Sequence, residues 1–162
     1  MSKKVLIIDD EQEIVSFIKD TLEDDGYEVF TANSGIDGLN KMNNEPDLVL
    51  LDIMMDGLDG YETCRKIRER KILPIIFMSA KHQDMDKVKA FSIGGDDYIV
   101  KPFFIAELKA RISAHLRRED RITGNQKEII LKNIKMKIEN RNLYVNNKTI
   151  DLTKTEFEIV EL

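Results

Sequence analysis

Asp9 and Asp10 follow Val5-Leu6-Ile7-Ile8, Asp52 follows Leu48-Val49-Leu50-Leu51, and Lys101 follows Tyr98-Ile99-Val100. Taken singly, an aspartate after an apolar run is an ordinary helix cap or loop residue. Together the four describe a site. Carboxylates gathered in one place repel one another unless a cation sits among them, and hard oxygen ligands select Mg²⁺ or Mn²⁺. A cation held by carboxylates, with much of its shell left to water, is suited to neutralising phosphate oxygens. An aspartate beside it can attack phosphorus and form an acyl phosphate. Lys101 adds a point charge for a phosphate oxygen or for a carboxylate.

What must position these groups is a parallel sheet. Short, nearly unbroken apolar runs read as strands covered on both faces, and ligands of such sheets gather outside the carboxyl ends of the strands. Strands are predicted at Val5–Ile8, Glu28–Thr31, Leu48–Leu51, Ile75–Met78 and Tyr98–Val100. Amphipathic stretches alternate with them. Asp10 is predicted to cap the first helix, with Ile14, Phe17, Ile18, Thr21 and Leu22 inward and Gly26 as the stop. Ser34 caps the second, with Leu39 and Met42 inward, and Tyr61, Cys64 and Ile67 mark the third. Asp84, Met85 and Val88 mark the fourth, which stops at Gly94-Gly95. The fifth runs from about Phe104 to Arg118 on the stripe Ile105, Leu108, Ile112 and Leu116. Five βα units predict an α/β fold, a doubly wound five-stranded parallel sheet in the order 2-1-3-4-5. Lys101-Pro102 is a candidate cis peptide.

Composition excludes several classes. A single cysteine, Cys64, rules out an internal disulfide and fits a cytoplasmic setting. No apolar stretch is long enough for a membrane span. The net charge of −5 argues against tight non-specific binding of nucleic acid by this chain. From Glu119 onward eight basic residues balance eight acidic ones, so the excess negative charge lies in residues 1–118.

The order Asp9-Asp10, Asp52, Ser79-Ala80, then Asp96-Asp97-Tyr98-Ile99-Val100-Lys101-Pro102-Phe103 resembles the receiver domains of two-component response regulators over roughly residues 4–118. The resemblance implies that Asp52 is the phosphoacceptor, served by a partner histidine kinase. It also implies that Asp9 and Asp10 hold Mg²⁺ with Asp52 and the backbone carbonyl of Met54. Ser79 and Tyr98 are then the switch residues that answer the phosphoryl group, and Lys101 is its partner. One departure is Asp56, where family members often carry proline; it removes a fixed φ and adds charge near the metal. The side chains at Met54 and Lys81 line the path of a hydrolytic water, and apolar Met54 cannot orient one.

On an ideal helix, Glu107, Arg111, Ala114 and Arg118 fall within about 60° of one another, opposite the apolar stripe. Lys87, Asp96 and Asp97 offer complementary charges beside them. The OmpR/PhoB class resembles this closely and implies a homodimer through helix 4, strand 5 and helix 5 when phosphorylated.

Arg117–Glu128 reads as a polar linker, giving a receiver at 1–118, a linker at 119–128 and a second piece at 129–162. There Ile134, Met136 and Ile138 alternate with lysines, and Asn146-Asn147 separates two strand-like runs as a hairpin would. Thr153-x-x-Glu156 is a capping box. Leu152–Phe157 resembles the entry to the first helix of a winged-helix effector. The expectation is therefore a truncated regulator whose full-length parent binds DNA. Two alternatives stay open. A stand-alone receiver would act by docking a partner. A phosphohydrolase of the haloacid dehalogenase kind would need an acid two residues after Asp52, where Met54 stands.

Overall fold

The computed structural model describes residues 2–124, 128–131, 134–137, 142–145 and 148–150. The chain divides into two compact units, Met1–Leu116 and Arg117–Leu162. In the first, strands β1 (Lys4–Ile8), β2 (Glu28–Ala32), β3 (Leu48–Asp52), β4 (Ile75–Ser79) and β5 (Asp97–Val100) pair in parallel in the order β2-β1-β3-β4-β5. Helices α1 (Gln12–Asp24), α2 (Gly35–Lys41), α3 (Gly60–Arg68), α4 (Asp84–Ile93) and α5 (Ile105–Gly124) follow the strands. The predicted fold class and strand order are both observed.

Alternation along each strand builds two cores. Leu6, Ile8, Val49, Leu51, Ile75, Phe77 and Tyr98 meet Tyr61, Cys64 and Ile67 of α3 and Ala90 of α4. Val5, Ile7, Leu48, Leu50, Ile76 and Ile99 meet Val15, Ile18 and Leu22 of α1 and Leu108, Ile112 and Leu116 of α5. The strands read as unbroken apolar runs because both sets are buried. Each such side chain removed from water contributes roughly 1.5–3 kcal/mol.

The structure corrects the helix details in three places. Helix α1 is not capped by Asp10: its N-cap is Glu11, which makes no side-chain cap bond, while Asp9 Oδ1 accepts from the Glu11 amide at 2.9 Å. The chain therefore turns into the helix one residue later, with Asp10 left outside it. The inner stripe of α1 is Val15, Ile18 and Leu22, and Phe17 is 58% exposed. Successive helical residues differ by about 100°, so Phe17 cannot share the face of Ile18. In α4, Met85 and Val88 are exposed, only Ala90 is fully buried, and half-buried Ile93 packs against the same core.

Ser34 caps α2 as predicted, its Oγ accepting from the Asp37 amide at 3.1 Å. The Lys101–Pro102 peptide is cis. Helix α5 continues through Gly124, so the first part of the segment read as an irregular linker is helical. In the second unit, β6 (Glu128–Leu131), β7 (Ile134–Lys137), β8 (Asn142–Val145) and β9 (Lys148–Ile150) form an antiparallel sheet in sequence order. Strands β8 and β9 pair Val145 with Lys148, the arrangement expected around Asn146-Asn147. The capping box at Thr153–Glu156 lies outside the described residues.

Candidate functional site

The carboxyl ends of β1, β3, β4 and β5 bring Asp9, Asp52, Ser79 and Lys101 to one sheet edge. Strand register places Asp52 beside Met78, and the Lys101 amide donates to the Ser79 carbonyl at 2.8 Å. Asp9, Asp10 and Asp52 each direct one carboxylate oxygen into a common space, these oxygens lying within 4.8 Å of one another. Asp9 and Ser79 are fully buried, Asp52 is 3% exposed, and Asp10 faces solvent. Gly60 is required beside this edge, since a Cβ there would collide with the Asp52 carbonyl oxygen.

Lys101 closes the cluster. Its Nζ donates to Asp9 Oδ2 at 2.7 Å and lies 3.6 Å from Asp52 Oδ2. It also reaches Glu11 Oε1 at 3.2 Å, a partner that the sequence reading missed. The only signal for Glu11 was its place directly after two aspartates.

The electrostatics follow from one buried ammonium among several carboxylates. Burial, then the charge of Asp9, pushes the Asp52 carboxyl up to about 6, against the opposing pull of Lys101 and the Met54 amide. That amide donates to Asp52 Oδ1 at 3.2 Å. Burial works against the charge of Lys101, but its hydrogen bond to Asp9 and the charge of Asp52 outweigh it and raise the ammonium's pKa. An all-oxygen donor set with excess negative charge fits Mg²⁺ or Mn²⁺.

The switch residues lie alongside. Ser79 Oγ accepts from the Lys81 amide at 3.1 Å, and the Tyr98 hydroxyl donates to the Lys81 carbonyl at 2.7 Å. Tyr98 is 6% exposed, its ring 6.5 Å from that of Phe77.

The charged face on α4, β5 and α5 is brought together only in part. Arg111 donates to Asp97 Oδ1 at 2.7 Å and to Glu107 Oε1 at 2.9 Å. His115, not foreseen, sits 3.0 Å from Asp97 Oδ2 and is 8% exposed. It lies one helical turn after Arg111, which is the spacing that could have revealed it. Asp96 is engaged elsewhere: Arg68 donates to its Oδ2 at 2.6 Å and to the Gly94 carbonyl. Lys87 and Arg118 join no ion pair among the described residues.

The response regulator receiver domain family matches residues 5–113. The chain is 36% identical to the alkaline phosphatase synthesis transcriptional regulatory protein PhoP of Bacillus subtilis (strain 168), across 99% of this chain and 71% of that protein. Among solved structures it is similar to the response regulator DrrB, a Thermotoga maritima OmpR/PhoB homolog, at 30% identity and a TM-score of 0.69. That likeness spans 99% of this chain and 71% of the other. The BeF3-activated N-terminal receiver domain of Klebsiella pneumoniae RstA is 34% identical with a TM-score of 0.68, covering 71% of this chain and 99% of its own.

The chain therefore belongs to the response regulator receiver family, the phosphorelay proteins of two-component signalling. Receivers are signalling modules that bind Mg²⁺ at an acidic pocket, pair with sensor histidine kinases and commonly dimerise. No described helix is long and apolar enough to cross a membrane.

Proposed function

We propose that Asp52 accepts a phosphoryl group from a phosphohistidine of a sensor kinase or from a small acyl phosphate. The observation that carries this reading is the meeting of Asp9, Asp10 and Asp52 within 4.8 Å, with the Lys101 ammonium against Asp9 and Asp52. An Asp52 oxygen attacks phosphorus, and the bond from phosphorus to the donor's nitrogen or oxygen breaks. Asp9, Asp10, Asp52 and the Met54 backbone carbonyl would hold Mg²⁺ or Mn²⁺, which when bound neutralises the phosphoryl oxygens and the crowded carboxylates.

The protein's own groups do the rest. Lys101 is already oriented and charged, so it meets a phosphoryl oxygen without reorganisation. Asp52 is held by the Met54 amide, which aims the carboxylate. The Ser79 hydroxyl, at the end of the neighbouring strand, turns toward the charge that appears on Asp52, and Tyr98 follows through the Lys81 carbonyl that it already binds.

The output is a homodimer through α4, β5 and α5, supported by the charges at Glu107, Arg111 and Asp97 on that face. Residues 1–118 act as the receiver and 119–128 as a linker. Residues 129–162 belong to a winged-helix effector domain, through which the full-length regulator binds DNA. The match to a transcriptional regulator across 99% of this chain supports that assignment. The lone, buried Cys64 supports a cytoplasmic setting. Intact-mass measurement after acetyl phosphate treatment with Mg²⁺ tests the assignment: wild type gains one phosphoryl group and Asp52→Ala gains none. Equal labelling of both proteins overturns it.

A further inference from the structure

Helices α2 and α3 lie side by side and run back against the strands, so both end at the amino edge of the sheet, away from Asp52. Between their last turns lies a pocket of about 390 Å³, a size that suits a small molecule. Leu39, Met42 and Ile67 give it an apolar lining that continues into the core. Its polar groups differ from their neighbours along the chain. Arg65 and Arg68 are engaged, the first with Glu62, the second with Asp96 and the carbonyls of Leu73 and Gly94. Lys41 and Asn44 donate to the Thr31 and Lys41 carbonyls. The side chains at the pocket are the ones left over. Asn40, Asn43, Lys66, Arg70 and Lys71 make no side-chain hydrogen bond or ion pair among the described residues, although the Glu69 carboxylate lies on the same rim.

The dipole of α3 accounts for a cation in its last turn, such as Lys66, but Arg70 and Lys71 come after the helix has ended at Arg68. Like charges lining one pocket repel one another, and an anion seated among them relieves the repulsion. Lys66, Arg70 and Lys71, set against Glu69, leave a net charge of two positive units at the pocket. A phosphate monoester carries roughly −1.5 to −2 at neutral pH, which matches that excess. The Arg70 guanidinium is a planar fork that can hold two phosphate oxygens at once.

The rest of the lining describes what the phosphate is attached to. A side-chain amide offers a donor and an acceptor together, the complement of a nucleobase edge. Branched and thioether side chains favour a flat, weakly hydrated ring over a hydroxyl-rich sugar. We propose that the pocket between α2 and α3 binds a nucleoside monophosphate. Its phosphate lies on Lys66, Arg70 and Lys71, its base against Leu39, Met42 and Ile67, and the base edge meets Asn40 and Asn43. The pocket is separate from the acidic cluster, so this site does not depend on the role of Asp52.

Amide NMR spectra of the full chain test it, recorded in EDTA so that phosphate cannot report on a metal held by Asp9, Asp10 and Asp52. The probes are AMP, GMP, CMP and UMP, with adenosine, inorganic phosphate and glucose 6-phosphate as the comparison compounds. At least one nucleotide is expected to shift the amides of residues 39–43 and 66–71 and to saturate at millimolar concentration or below. It should bind about tenfold or more tightly than any comparison compound. Lys66 and Arg70 are exposed, so Lys66→Gln and Arg70→Glu should keep the fold, which the same spectra report. Each should weaken nucleotide binding by about fivefold or more, the loss of one charge-assisted contact at a solvated site. Inorganic phosphate binding as tightly as every nucleotide means an adventitious ion only and overturns the site. Adenosine or glucose 6-phosphate binding as tightly as the nucleotides overturns it as well. So do an absence of shifts, shifts confined to other residues, or affinities that neither substitution changes.

Discussion

Asp52 and Asp97 are the same residue type at opposite ends of neighbouring parts of one sheet, and their surroundings push them in opposite directions. At the carboxyl edge, burial and Asp9 raise the Asp52 carboxyl to about 6 despite Lys101. On the α5 side, burial again opposes the charge of Asp97. There, however, hydrogen bonds from His115, the Tyr98 amide and Arg111 outweigh it, and the carboxyl is lowered. One ammonium among Asp9, Asp10, Glu11 and Asp52 leaves negative charge in excess, whereas Asp97 has a partner on each oxygen. The difference separates roles. An under-compensated cluster suits a cation, and a compensated one ties β5 to α5 and fixes the charges of that face.

Chelation sharpens that contrast most. With EDTA in place of Mg²⁺, labelling by acetyl phosphate should fall by roughly a hundredfold or more, because charge neutralisation supplies most of phosphoryl-transfer catalysis. The Asp97 network needs no metal, so the far-UV spectrum and the hydrogen-exchange protection of α5 should not change. A metal-independent rate would place the chemistry elsewhere.

Arg111→Glu breaks the other side of the comparison. It sets a carboxylate against Asp97 and Glu107, and sedimentation of beryllofluoride-treated protein should show dimerisation weakened by about tenfold or more. Wild type should be mainly monomeric before activation, since exposed ion pairs contribute only ~0–1 kcal/mol each. Labelling of Asp52 should persist in the variant.

The opposite shifts give opposite pH dependences. Asp52 is raised on folding, so its contribution to stability is fully present below the ordinary carboxylate pKa and lost as pH rises through about 6. In EDTA at pH 7, Asp52→Asn should therefore stabilise the protein by roughly 1–2 kcal/mol, a figure reduced for solvent screening. Asp97 is lowered, so its contribution is present above the ordinary carboxylate pKa and lost as pH falls through the lowered value. Asp97→Asn should destabilise at pH 7 by about 1–2 kcal/mol, with the deficit shrinking in acid. Urea melts across pH 3–8 test both, and shifts of the same sign would refute the contrast.

The smallest effect concerns the lifetime of the phosphoryl group. Met54 is apolar and 55% exposed beside Asp52. An amide that orients water at that position, as in Met54→Asn, should speed phosphate loss by a few-fold. An unchanged lifetime would mean that Met54 is only surface.

Much of this was written in the order of residues. Strands buried on both faces must be continuous apolar runs, so β1, β3 and β4, with Asp9 after the first, Asp52 ending the second and Ser79 ending the third, are legible in the sequence. The pairing of Lys101 with Asp9 spans 92 positions, yet both ends were marked by the strands that deliver them. Helix caps and stripes were legible only where a local pattern had no competitor. Ser34 was, but Asp10 was not, because Asp9 takes the Glu11 amide and delays the helix.

The chain's own order thus determined the parallel sheet, its strand sequence and the charge type at its edge, since period and burial are local properties. Only the tertiary structure decided how charge is balanced there. Glu11 joining Lys101, His115 closing Asp97, Asp96 turned to Arg68, and Tyr61 left without a partner under Lys89 all depend on neighbours that side-chain period does not encode. Burial and the count of opposing charges set those interactions, and both exist only once the elements have packed.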